Sequence, residues 1–180
     1  MQPGERRPVL DQLAASEAHL LRLLEDLTPE QLAFRGAPDR RSIGEVVEHV
    51  VRVENALMRA IGKRIEEPST RTERPDPARL DAILWKHVAN RTRRVVAPEQ
   101  ARPSGGFTVT IEAIEAVRAA RSRTVEFVTV TEADLRGHVI PHFVFGDLDL
   151  YQWLIFLSLH GSRHAAQIEE IKADPAFPKA

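Results

Sequence analysis

The stretch Leu150-Tyr-Gln-Trp-Leu-Ile-Phe-Leu-Ser-Leu-His160-Gly-Ser-Arg-His164-Ala-Ala-Gln-Ile-Glu-Glu-Ile171 decides the fold. Its apolar residues do not alternate: Trp153, Phe156, Leu157, Ile168 and Ile171 recur at helical spacing, and Pro175 follows, so one long helix is expected from about Asp149 to Ala173. His160 and His164 are four residues apart and therefore stand one turn apart on one face, roughly 5 to 6 Å between Cβ atoms. Trp153, Phe156, Leu157, Gln167 and Ile171 share their arc. The pair faces a core.

Working outward, the same period recurs. Leu10, Leu13, Ala14, Leu20, Leu21, Leu24 and Leu27 mark a first long helix from about Val9 to Leu27. Thr28-Pro-Glu-Gln31 carries a capping residue, a proline at the first helical position and a glutamine three on, which predicts a short helix that Gly36, Pro38 and Asp39 end. Ser42-Ile-Gly-Glu45 repeats the capping box and opens a second long helix through Val46, Val50, Val53, Leu57 and Ile61, with Gly62 near its stop. Residues 66 to 78 read as an exposed connection containing Pro68, Pro75 and Pro77, followed by a helix from about Ala78 to Val96. A third long helix is expected from about Val109 to Val128. Val139 to Phe145 reads as a loop against the bundle, because one isolated extended run makes no sheet.

These elements predict an all-α protein: a four-helix, antiparallel-type bundle with an additional helical segment between the second and third long helices, forming one domain over residues 1–180. A chain of 180 residues can bury a core without staples, so folding should not depend on a metal. Hydrophobic residues at 43% and charged residues at 28% exclude disordered and membrane compositions. Twenty-five basic against 26 acidic residues leave no field to draw the chain to nucleic acid or anionic lipid. The short run Arg91-Thr-Arg-Arg94 is read as a solvated helix face. No apolar run has the length of a bilayer span, and the N-terminus lacks the apolar stretch of a signal peptide, which makes the cytoplasm the expected location.

Cysteine is absent, so a thiolate nucleophile and a cysteine-rich zinc site are excluded, and any metal ligands must be histidine or carboxylate. His49, beside Val46, Val53 and Ala56 on the second helix, also edges an apolar stripe. His49, His160 and His164 are thus three inward histidines on two helices. They are read as ligands of one divalent ion, against the alternative of hydrogen-bonded core histidines. Three imidazoles leave a coordination position open, the arrangement of a reactive site rather than a closed structural one. Glu45, one turn before His49, and Gln167 are candidates to orient the imidazoles, although Glu45 is also the glutamate of a capping box. Trp85, Tyr151 and Trp153 are possible pocket walls or plain core residues. His19 and His87 read as surface residues, and His142 as a loop residue able to lean over the site or face solvent.

A histidine in the second helix followed by a C-terminal H-x-x-x-H helix resembles the DinB/YfiT-like metalloprotein superfamily, most nearly its DinB_2-type members. Phe145-Gly-Asp-Leu-Asp-Leu-Tyr-Gln-Trp-Leu154 and Leu159-His-Gly-Ser-Arg-His-Ala-Ala-Gln-Ile168 are similar to the family's F-G-x-L-x-x-x-x-W-L and H-x-x-R-H-x-x-Q-I patterns, and Ser42-Ile-Gly-Glu-Val-Val-Glu-His49 to its helix-two motif. The resemblance implies a metal-binding four-helix bundle holding zinc or nickel on His49, His160 and His164. It also implies a homodimer and a hydrolase or thiol S-transferase that activates water or a low-molecular-weight thiol toward a small-molecule substrate. A non-catalytic metal- or ligand-binding stress-related protein is the alternative. One departure is Gly161-Ser162, where related chains often carry Thr-Glu; a helical glycine costs roughly 1 kcal/mol against alanine, which predicts close packing or a pocket there.

Overall fold

The structure is a computed structural model describing residue 1 and residues 3–69, 76–92 and 99–179. In chain order its elements are helices α1 (Pro3–Leu24), α2 (Pro29–Ala33), α3 (Ile43–Ile65), α4 (Ala78–His87) and α5 (Thr110–Val130), strands β1 (Val139–His142) and β2 (Gly146–Asp149), and helix α6 (Leu150–Lys172). Single 3₁₀ turns lie at Glu99–Ala101 and Leu135–Gly137. The chain is mostly helical, and α1, α3, α5 and α6 form the four-helix bundle.

Local chemistry sets the helix starts. Thr28, Ser42 and Asp149 each close a capping box, accepting from the backbone of Gln31, Glu45 and Gln152 while those side chains accept from the cap backbone. The first two were expected; the third pins the start of α6 at the junction with β2. α3 ends at Ile65, close to Gly62, near which its stop was expected. α1 begins at Pro3, ahead of the expected Val9, and contains Pro8. α4 ends at His87, short of the expected Val96; residues 93–96, and with them Arg93 and Arg94, lie outside the described residues. Of the expected exposed connection, 70–75 also lie outside them.

The segment expected as a loop is instead one arm of an antiparallel hairpin in which Val139 pairs with Asp149 and His142 with Gly146. The partner strand is drawn from the residues leading into α6. Gly146, at φ +73°, takes the left-handed conformation the turn requires.

The bundle is not antiparallel throughout, as had been expected. Gln12 bonds Ser162 and His19 meets Glu169, so α1 and α6 advance together. Phe107 bonds Gly44 while Thr124 bonds Glu54, so α3 and α5 also run parallel. Arg6 on Thr129 and Thr110 on Leu27 set α1 against α5. Each long helix adjoins two others, leaving α1 opposite α3 and α5 opposite α6. The long connection from α3 to α5 allows their parallel pairing. It also carries α4, which packs outside on α6.

The core has two apolar halves. Val9, Leu13, Leu57, Ile61, Val128 and Leu154 belong to one; Leu20, Leu24, Val46, Val50, Val117 and Ile168 belong to the other. Burying each such side chain stabilises by roughly 1.5 to 3 kcal/mol. At one level of all four helices the apolar residues give way to buried polar ones: Ser16 on α1, Glu54 on α3, Arg121 and Thr124 on α5, Ser158 on α6. The Arg121 and Glu54 side chains are 1% and 4% exposed and meet at 3.2 Å, and Thr124 donates to Glu54 at 2.7 Å. Burial lowers the Arg121 guanidinium and raises the Glu54 carboxyl, each opposed by the other's charge. A Cβ on Gly161 would lie 3.1 Å from Ser16 and 3.3 Å from Arg121, so close packing explains this glycine.

Candidate metal centre

The three inward histidines lie beside this polar belt. α3 brings His49 and α6 brings His160 and His164, all buried, with one ring nitrogen from each falling within 4.8 Å of the others. His160 Nε2 and His164 Nε2 are 3.1 Å apart. Two ligands at about 2.0 to 2.1 Å from one tetrahedral ion would be separated by roughly 3.3 Å, so this spacing suits a shared ion.

The opposite ring edges are held. His49 Nδ1 meets the carbonyl of Ala101 at 2.5 Å and His164 Nδ1 meets Gln167 Oε1 at 2.9 Å, contacts that place the proton on Nδ1 and leave the Nε2 lone pair free. Burial depresses the pKa of all three imidazoles. It brings His49 to about 4, against the hydrogen bond His49 donates to the Ala101 carbonyl and helped by Arg41 and Arg52, and takes His160 and His164 well below the ordinary value. They are neutral at pH 7, the form that ligates. Donor type, protonation and spacing all fit a divalent ion.

Of the two candidate orienting residues, Gln167 touches an imidazole. Glu45 bonds Ser42 and Arg35, as a capping-box glutamate should, and no bond to an imidazole is seen among the described residues. The neighbour of His49, Glu48, is instead the carboxylate that ties down the loop following Ala101. Glu48 accepts from the backbone of Ser104, Gly105 and Gly106 and from the Ser104 hydroxyl, at 2.7 to 3.2 Å. This clamp fixes the loop that carries Ala101. Burial alone would raise the Glu48 carboxyl, but these hydrogen bonds overcome it and hold it at about 2.

Among the described residues, Phe156 lies beside the triad, 5.4 Å from His160 between centroids. Tyr151 lies under Arg136, Trp153 donates to the Ile140 carbonyl, and Trp85 packs on the apolar half that contains Leu84. His142 is buried, with Phe156 between it and His160, and its Nδ1 accepts from the backbone of Val144 and Phe145. His19 pairs with Glu169 at the surface, and His87 is exposed.

On the Gln167 side of His164 lies a cavity of about 370 Å³, lined by Arg40, Arg41, Arg91, Gln167 and Glu170 among others. Among the described residues, no helix is long and apolar enough to cross a membrane.

The sequence model of the DinB superfamily matches residues 12–168. The chain is similar to YuaE, an uncharacterized protein of Bacillus subtilis strain 168, with 24% identity over 150 residues, 83% of this chain and 88% of the relative. Among solved structures it is similar to YfiT from Bacillus subtilis, at a TM-score of 0.64 and 14% identity, covering 99% of this chain and 91% of YfiT. That protein is described as a probable metal-dependent hydrolase with an unusual four-helix bundle topology.

Proposed function

The chain belongs to the DinB superfamily, and from that membership we propose that it is a metal-dependent enzyme whose His49, His160 and His164 hold one divalent ion, zinc or nickel. The observation that carries this reading is the convergence of three buried, neutral imidazoles from two helices. Such an ion, with a position left open, supplies Lewis acidity and lowers the pKa of a bound water or low-molecular-weight thiol. The protein's own part is to orient the imidazoles through Ala101 and Gln167 and to exclude bulk water with the surrounding helices. Hydrolysis and thiol S-transfer of a small-molecule substrate both follow from that chemistry, and the description of YfiT supports the first.

One observation favours a non-catalytic metal- or ligand-binding role: the three histidines are only 4 to 6% exposed. Exchange of small ligands at the ion separates the two readings. An enzyme admits azide or a thiol to a cobalt-substituted centre, with a change in the visible spectrum; a storage site does not.

Metal analysis of the purified protein, followed by a screen of thiols, electrophiles and esters on the zinc- and nickel-loaded forms, tests the function. His49→Ala is expected to weaken metal binding by orders of magnitude while leaving the bundle folded, because both apolar halves remain. Retention of stoichiometric metal at wild-type affinity would overturn the ligand assignment. The protein is further proposed to act in the cytoplasm as a homodimer. Val109 and Ile111 at the start of α5 and Val130 at its end are exposed apolar residues available to such pairing.

A further inference from the structure

Arginines are concentrated around the 370 Å³ cavity beside His164, in a chain whose formal net charge is −1. Arg40 and Arg41 come from the connection before α3, and Arg91 from beyond α4. The connection is pressed directly onto the end of α6, since a Cβ on Gly36 would lie 2.4 Å from Asp174 Oδ2. Two carboxylates, Glu170 and Asp174, share this lining. Glu170 is engaged by Arg91 through two bonds of 2.7 and 2.6 Å, and Asp174 Oδ1 accepts from the Ala176 backbone. Among the described residues of the lining, three guanidiniums stand against two carboxylates.

One residue, Gln167, links the cavity to the histidines. Gln167 lines it, and the same Oε1 that meets His164 Nδ1 at 2.9 Å also accepts from Arg91 at 3.4 Å. Arg41 lines the cavity, and its charge opposes protonation of both His49 and His164. Its volume lies within the range of small-molecule sites. Guanidinium is the side-chain group best shaped to grip carboxylate or phosphate through paired hydrogen bonds.

We propose that this cavity binds the anionic end, a carboxylate or phosphate, of the small molecule on which the metal centre acts, with Arg40 and Arg41 as its anion-holding residues. The inference rests on the metal-dependent reading above and names the substrate class: a small anion whose charged end lies beside Gln167 and whose reacting end extends toward the triad. Arg91, already paired with Glu170, acts as a positioning residue for Gln167.

Calorimetric titration of the metal-loaded protein with inorganic phosphate and with glutarate, against chloride at equal ionic strength, tests it. Saturable binding is expected for at least one probe, and the tighter one distinguishes a phosphorylated substrate from a carboxylic acid. Arg40→Gln/Arg41→Gln is expected to weaken binding by roughly tenfold or more, at an unchanged thermal midpoint. Arg40→Lys/Arg41→Lys should recover part of it. His49→Ala should still bind the probe without the metal, so failure of the metal reading remains separable. No saturable binding of either probe, or equal affinity in the double glutamine variant, would overturn the proposal.

Discussion

Glu48 illustrates how a site residue can be adjacent in sequence and yet act at a distance. Its partners Ser104, Gly105 and Gly106 lie 56 to 58 residues further on, so no local pattern announces the clamp. The histidines were legible because helical spacing alone orients them; their Nδ1 partners were legible only where the contact is also local, as for His164 and Gln167. Glu48→Ala is expected to release the 104–106 loop and weaken metal affinity by about 10- to 100-fold, the usual cost of losing support for a ligand, with unchanged far-UV circular dichroism. Competition with a chromogenic chelator measures it. His142 gives a pH prediction. Burial lowers its pKa to about 4 from an ordinary 6.5, so the folded state favours the neutral ring, and its two backbone hydrogen bonds require a bare Nδ1. The stability it contributes is fully present above pH 6.5 and is lost as pH falls from 6.5 through 4. His142→Asn keeps an acceptor for the turn, and should flatten the slope of metal-free stability in that window by about one proton, or ~1.4 kcal/mol per pH unit. Urea melts at several pH values decide it; an unchanged slope contradicts the assignment.

At the level of elements, periodicity and capping boxes made every long helix readable, because both are local. The hairpin was not, since Val139–His142 acquires meaning only from Gly146–Asp149, a segment whose motif points equally to the start of α6. The start of α1 was placed late, because the helix tolerates Pro8 within it. Gly44 is a helical glycine. A Cβ there would fall 2.1 Å from the carbonyl oxygen of Phe107, whose own N–H bonds the Gly44 carbonyl. Gly44→Ala gains roughly 1 kcal/mol of helix propensity but forces the loop off α3. The net expectation is a destabilisation of about 1 to 3 kcal/mol, together with weaker metal binding, because that loop supports His49. Thermal melts and chelator competition on the same variant check both halves; a stabilised variant with normal affinity would refute it.

Across the whole molecule, Arg136 joins parts that are distant in sequence, reaching Glu5 on α1, Asp81 on α4 and Asp149 at the start of α6 at 2.7 to 2.9 Å, with its guanidinium over Tyr151. Arg136→Met would leave three carboxylates facing one another and should cost about 3 kcal/mol or more, read as a lower urea midpoint. Association is tested by sedimentation: a dimer at micromolar protein, converted to monomer by Ile111→Glu, is the expected result, and a wild-type monomer would remove the proposal. The order of the helices around the bundle was not legible, because periodicity states which face is apolar and not which neighbour covers it. That order bears on how the protein is made. His49 emerges from the ribosome long before His160 and His164, and α6, which carries both of them, adjoins α1 and α3. The proposed triad is complete only once α6 has docked, so metallation of such a site would follow as a late event. Conversely, any fluctuation that peels α6 away would discard two of the three proposed ligands at once, so the exchange rate of the metal should report the opening of a single helix.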